Sequence, residues 1–357
     1  MTHPDFELVE KRELKELNTK ATLWRHRATG LELLSLSNDD RNKVFGVAFR
    51  TPPEDSTGIA HILEHSVLCG SARYPVKDPF VQLLKGSLKT FLNAMTYPDK
   101  TVYPVASQNE TDFYNLADVY MDAVFHPLLT PEKLEQEGWH LHVNADGKGL
   151  HYQGVVYNEM KGVYSSPDSL IYENSQQSLY PDTTYGLDSG GDPEHITDLT
   201  FEQFQAFHQR FYHPSNARVF FWGDDDPKQR LDFVAERLRG YERIEPDSTV
   251  TLQAPFEEPR KLDVPYPCAD ESHERKALVT VNWLLPEVGA SELELALQVL
   301  SHALIASPSS PLRQVLIDSG LGDDLIGHGA ETELRQMHFT TGLRGVNAED
   351  ADRVEKL

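Results

Sequence analysis

The stretch His61-Ile62-Leu63-Glu64-His65 sets two imidazoles four positions apart, with a carboxylate just before the second. On a helix, positions i and i+4 share a face, so both rings can hold one ion. Glu64 borders that face, where it reaches a metal-bound water rather than the metal itself. Zinc lowers the pKa of such a water to about 7, and the carboxylate takes its proton as the water attacks a carbonyl. The order is the inverse of the commoner His-Glu-x-x-His arrangement. Taken alone, the five residues also fit a helix that merely carries these groups on one face.

A catalytic zinc needs a third protein ligand and an open position. Glu159, in Gly154-Val155-Val156-Tyr157-Asn158-Glu159-Met160-Lys161-Gly162, is the candidate. A carboxylate beside an apolar Val-Val-Tyr run is half buried and wants a metal or a cation. The alternative is an ordinary glutamate in a first helical turn. Cys69, one turn past His65, can approach the metal or fill core space. His140 and His142 alternate as strand ligands would, yet also fit a helix or a surface. Asp224-Asp225-Asp226 fits a calcium site or a solvated turn.

The elements around these residues alternate. Residues 6–50 read as short pieces, with strands at 31–36 and 44–49 separated by the turn residues Ser37 to Asp40. Ser56 or Thr57 is expected to cap a helix carrying Ile59, Ile62, Leu63, Val67 and Leu68 on its apolar face, with Gly70 as its C′ residue. Further helices are expected over 77–95 (running into a loop), 110–125, 131–142, from Val155 to Tyr164, and over 200–212. Strands are expected at 101–105 and 218–223. Beyond a Pro-rich stretch the order restarts, with a strand over 278–283, a break at Leu285-Pro286 and a helix from Glu292 to Leu304. The class is α+β, a mixed sheet packed against helices and partly repeated. The expected division is a domain over 1–245, a linker over 246–268, and an incomplete second domain over 269–357. The last residues read as a helix just beginning, so a truncated chain is expected.

The chain has 357 residues, 39% hydrophobic and 25% charged, with a formal net charge of −23. That charge repels phosphate backbones and argues against nucleic acid, while favouring basic peptides. Two cysteines, Cys69 and Cys268, make no disulfide framework. No apolar run reaches the roughly 18 residues of a membrane span. Met1 to Glu7 has neither a secretory nor a transit pattern, so a cytoplasmic location is expected.

Several stretches together resemble the presequence-protease branch of the insulinase/pitrilysin family of zinc metallopeptidases. They are Gly58 to Ser71, Tyr74 to Phe80, Phe91 to Thr96, Gln136 to Trp139, Gly154 to Gly162, Ser189 to Pro193 and Tyr212 to Ala217. The resemblance runs in family order over about residues 30–225. It implies insulinase/pitrilysin-like (LuxS/metallohydrolase-like) domains, with Zn2+ on His61, His65 and Glu159 and Glu64 as general base. It implies that Phe91 to Thr96 lies on an edge strand that receives substrate, with Asn93, Ala94 and Met95 as contact positions. Backbone pairing there holds an extended peptide with little sequence demand. Some branches place a second carboxylate seven residues before the glutamate ligand, but Tyr152 stands there.

The expected activity is endopeptidase cleavage of short extended peptides, basic ones included. The C-terminal half of the same protein is expected to close over the site. The competing reading is a non-catalytic peptide-binding or assembly module, for this fragment above all. A purely structural zinc does not fit, because two histidines, one glutamate and a spare base leave the site open.

Overall fold

A computed structural model describes residues 1–77, 79–268 and 274–357. Asp78, inside one of the resembling stretches, and residues 269–273, the start of the expected second domain, lie outside the described residues. In chain order the strands and helices are β1 (Phe6–Leu14), β2 (Thr19–His26), β3 (Glu32–Ser37), β4 (Lys43–Arg50), α1 (Ile59–Val67), α2 (Pro79–Gly86), β5 (Lys89–Leu92), β6 (Met95–Thr96), β7 (Lys100–Ser107), α3 (Glu110–Phe125), α4 (Pro131–Glu137), β8 (His140–Val143), β9 (Leu150–Gln153), α5 (Val155–Val163), α6 (Pro167–Leu179), α7 (Phe201–Phe211), β10 (Ala217–Gly223), α8 (Pro227–Arg237), β11 (Ala277–Glu287), α9 (Ser291–Ser301), α10 (Pro311–Asp318), β12 (Asp324–Glu331), β13 (Gln336–Val346) and α11 (Ala351–Glu355).

They form two compact units, one of Met1–Met160 with Ser189–Thr249 and one of Lys161–Asp188 with Val250–Leu357. The first unit holds a mixed sheet ordered β1-β2-β3-β10-β4-β7-β5, with β6 also paired to β7. β10 runs parallel to β3 and antiparallel to β4. Strict alternation along β4 and β10 sends Phe45, Val47, Phe49, Val219 and Phe221 inward. There they meet the buried face of α3, including Phe113, Leu116, Tyr120 and Val124. Phe45, Phe113 and Phe233 each pack edge to face on Phe221.

Several expectations need correction. Residues 6–26 are two long strands, not short pieces. β1 is an edge strand exposed along most of its length, so no apolar alternation marks it. The helix expected over 77–95 ends at Gly86, and the residues after it pair with β7. The helix expected over 131–142 ends at Glu137, and His140 to Val143 pair with β9 instead. Pro286 does not break β11, because the register with β13 shifts between Leu284 and Glu287 and a proline is tolerated at such a bulge.

In the second unit β11, β13 and β12 form an antiparallel sheet in that order. Leu179, Tyr180, Tyr185, Val250 and Leu334 form one core cluster; Leu316, Leu321, Leu343, Val346 and Val354 form another. Val250 and Gln253, in the stretch read as a linker, are buried in this unit, and the Gln253 backbone N–H and C=O both bond the Gln336 side-chain amide.

Candidate metal centre

α1 is buried on nearly every side: Ile62, Leu63, Ser66 and Val67 have no accessible surface, while His61 and His65 keep some. Its start is not the expected Ser56 or Thr57 cap. Both the N–H and the hydroxyl of Thr57 bond back to Asp55, and the capping position is Gly58 at φ 69. Glycine is required here twice over. The left-handed backbone disfavours a side chain, and a Cβ would lie 2.7 Å from the Gly190 carbonyl oxygen. The helix ends at Leu68, so Gly70 lies one residue beyond C′, at φ 118.

The close approach of Gly58 to Gly190 delivers the Gly190 carbonyl to the helix, where it accepts from His61 Nδ1 at 2.9 Å. His65 Nδ1 donates to Glu137 Oε2 at 3.3 Å. With both Nδ1 atoms so occupied, the Nε2 atoms are left bare. They face one carboxylate oxygen, Glu159 Oε2, at 3.8 Å from His61 and 3.9 Å from His65. All three donor atoms lie within 4.8 Å of one another. That spacing is close to the roughly 3.3–3.5 Å edge of a tetrahedron with bonds of about 2.0–2.1 Å.

Glu159 is brought there by a second glycine contact. A Cβ on Gly154, just before α5, would sit 2.0 Å from the Gly138 carbonyl oxygen. Gly138 itself follows the α4 helix that carries Glu137. Val156 and Met160 bury the inner side of α5, and the Glu159 side chain stays half exposed.

Three carboxylates surround the two imidazoles. Burial lowers the His65 pKa, but the hydrogen bond to Glu137 and the charges of Glu64, Glu137 and Glu159 outweigh it, so the net shift is upward. Burial raises Glu137, and donation from His65 and Gln136 reverses this to a net lowering. The site is thus built for a positive charge. Glu64 is buried, at 9% exposure. Burial first and its carboxylate second push the Tyr120 hydroxyl well above its ordinary value.

Tyr120 leads to the sheet edge. Phe91 and Leu92 face Ala106 and Val105; Met95 and Thr96 face Val102 and Thr101 in the same register. Between them Asn93 donates to the Pro104 carbonyl at 3.2 Å. Pro104 has no N–H to return, and the Tyr120 hydroxyl donates to the Asn93 carbonyl instead, at 3.2 Å. Alternation therefore turns the N–H and C=O groups of Leu92, Ala94 and Thr96 outward, away from β7. Of the three expected contact positions, Ala94 presents its backbone, while Asn93 and Met95 turn theirs to β7.

The remaining candidates resolve differently. Cys69 Sγ contacts the His65 carbonyl and Glu137, both at 3.5 Å. Asp225 is fully buried against Arg230, Asp224 pairs with Lys43 at 2.6 Å, and Asp226 caps α8. Tyr152 packs against the rings of Trp139 and Tyr157. Glu137 was not singled out from the sequence, although it lies inside the Gln136 to Trp139 stretch. Nothing local marks it, since its partner is 72 positions away.

Residues 49–147 match the family model described as Insulinase (Peptidase family M16), and residues 198–357 match that described as Peptidase M16 inactive domain. Presequence protease 1, chloroplastic/mitochondrial, of Arabidopsis thaliana is 53% identical over 358 residues, covering 99% of this chain and 33% of that protein. Protein HypA of Clostridium perfringens is 44% identical over 356 residues, covering 99% and 36%. The mitochondrial presequence protease of Mus musculus is 42% identical over 352 residues, covering 96% and 34%. The chain thus spans about a third of the length of these relatives. Among solved structures, a protease from Helicobacter pylori matches with a TM-score of 0.67 at 18% identity, covering 98% of this chain and 78% of that one. Pitrilysin matches at 0.66 and 16%, covering 98% and 36%. These two likenesses establish the fold.

Proposed function

This chain belongs to the insulinase (M16) family of peptidases, and we propose that its His61-His65-Glu159 group binds zinc and that the site hydrolyses short, extended peptides. The carrying observation is the convergence of two bare Nε2 atoms on one carboxylate oxygen at 3.8 and 3.9 Å. Two imidazoles and one carboxylate fit zinc, and three protein donors leave a fourth position open. Bound there, zinc supplies an activated water at neutral pH and polarises the scissile carbonyl.

The chain's own residues do the rest. Glu64, beside His65 on α1, takes the proton from the attacking water and passes it to the leaving amine. Gly190 and Glu137 hold His61 and His65 in the tautomer that offers Nε2. Leu92, Ala94 and Thr96 offer outward N–H and C=O groups, so an extended peptide adds as a further strand. Such pairing ignores side-chain identity, which suits unstructured peptides of varied sequence. The formal net charge of −23 favours basic ones. The relatives named presequence proteases support this substrate class, and their greater length supports closure of the site by further segments.

The test is hydrolysis of an unstructured basic peptide, with the chain alone and with the remainder of the protein supplied. Glu64→Gln lowers turnover by about 10²–10⁴-fold while keeping zinc, on this reading. Turnover by Glu64→Gln at the parent's rate would sink the mechanism. Peptide binding without turnover in either setting would favour a non-catalytic binding module.

A further inference from the structure

We propose a second metal site in the first unit, on the β8–β9 hairpin: a transition-metal cation of the zinc, nickel or copper class held by His142 and His151, with His140 as third donor. His140 and His142 are two apart on β8 and so share a face. His151 stands directly opposite His142 across the ladder. The ring centroids are 5.9 Å apart for His140–His142 and 5.4 Å for His142–His151, against 5.0 Å for the His61–His65 pair.

The nitrogen chemistry points the same way. His140 Nδ1 lies 2.7 Å from the Glu135 carbonyl oxygen, which can only accept, so Nδ1 carries the proton. His151 Nδ1 lies 2.7 Å from Asn144 Oδ1, and the Asn144 amide nitrogen donates to the Lys148 carbonyl at 2.7 Å, which fixes the orientation of that amide. With Nδ1 so engaged, His140 and His151 turn Nε2 to any ligand, the arrangement that metal-ligating histidines adopt. A packing role does not account for the three rings. Leu141, Val143, Leu150 and Tyr152, which fill the rest of the hairpin, are 43–59% exposed.

The hairpin's place gives the site a consequence. β8 begins just after Glu137 and Gly138, and β9 runs through Gly154 into the helix that carries Glu159. The Gly138–Gly154 contact pins the two feet together. An ion bridging His142 to His151 stiffens the element that joins the partner of His65 to the third ligand of the candidate centre. Among the described residues, only His61, His65 and Glu159 have three donors already within 4.8 Å of one another. The hairpin site must therefore be completed by rotation of the exposed His142 ring toward the hydrogen-bonded His140 and His151 rings, a picosecond-to-nanosecond motion, and binds more weakly than the first.

The test is zinc content of the chain at saturating free zinc, by equilibrium dialysis and elemental mass spectrometry. The expected result is about two zinc ions per chain, falling to about one in His142→Asn/His151→Asn and also to about one in His61→Ala. In His61→Ala, substoichiometric Ni2+ should broaden the imidazole NMR signals of His140, His142 and His151. One zinc per chain in the parent that His61→Ala loses and His142→Asn/His151→Asn keeps, or two retained in His142→Asn/His151→Asn, would overturn the site. Because His61→Ala removes only the first ion, failure of the hairpin site and failure of the proposed catalytic site give different stoichiometries. The hairpin histidines lie at the surface, so a circular dichroism spectrum matching the parent completes the control.

Discussion

Replacing Glu137 tests whether the centre is organised from behind as well as from its three donors. The carboxylate is 7% exposed and accepts from His65 Nδ1 at 3.3 Å. Glutamine keeps the shape and an acceptor oxygen but removes the charge. Alanine removes both and leaves the half-buried His65 ring without its protein acceptor. Loss of such a supporting carboxylate costs about 10–100-fold in metal affinity, or roughly 1.4–2.7 kcal/mol at about 1.36 kcal/mol per decade. Glu137→Gln belongs at the tenfold end and Glu137→Ala at the hundredfold end, because the latter also removes the acceptor that orients the His65 ring. The assay is competition for zinc with a chromophoric chelator at fixed pH, with circular dichroism to show that each variant is folded. Zinc affinity within about twofold of the parent in both variants, set against that tenfold minimum, would refute the role assigned to Glu137.

The other predictions concern chemistry, packing and pH. Glu64→Gln keeps zinc but lowers peptide turnover by about 10²–10⁴-fold, read from initial rates and zinc content on one sample. Gly154→Ala forces a Cβ to within 2.0 Å of the Gly138 carbonyl oxygen, and such overpacking costs about 1–3 kcal/mol or more. Its Tm falls by several degrees and its zinc affinity drops with it; an unchanged melt would contradict the close approach. Arg230→Ala leaves Asp225 buried without its counter-charge, with the Tyr114 hydroxyl still donating to it, a loss of about 3–5 kcal/mol that a urea titration reads as a lower midpoint. Burial holds the imidazole of His338 down at about 4, against an ordinary 6.5. The unfolded chain thus binds a proton that the folded one refuses, so this contribution is fully present above pH 6.5 and is lost as pH falls toward 4. Replacing His338 with glutamine flattens stability against pH in that window.

What could be read in advance follows the range of the interactions. His61, Glu64 and His65 share one helical turn, so their common face is a local property. The apolar face of α3 was legible for the same reason, its buried residues recurring at helical spacing. Glu137 was not legible, because its meeting with His65 depends on Gly138 and Gly154 closing to backbone contact. The helix cap was misplaced because Gly58 is chosen by Gly190, far along the chain, rather than by a nearby side chain. Local periodicity runs a helix into a loop over β5 and β6, and only the family resemblance places Phe91 to Thr96 on an edge strand, because their pairing with β7 is supplied by tertiary structure and interrupted at Pro104, where Tyr120 substitutes for the missing N–H. The Asp224–Asp226 run reads as a solvated turn until Arg230 and Lys43 are seen to neutralise two of its three charges.

Zinc-edge anomalous diffraction from a crystal of the chain, dialysed against a weak chelator so that only tightly held metal remains, tests the central claim most directly. The account predicts one peak within about 2.0–2.2 Å of His61 Nε2, His65 Nε2 and a Glu159 oxygen, with Glu64 outside bonding distance. A peak ligated by Glu64 or Cys69 in place of Glu159, or no peak at these residues, would contradict it.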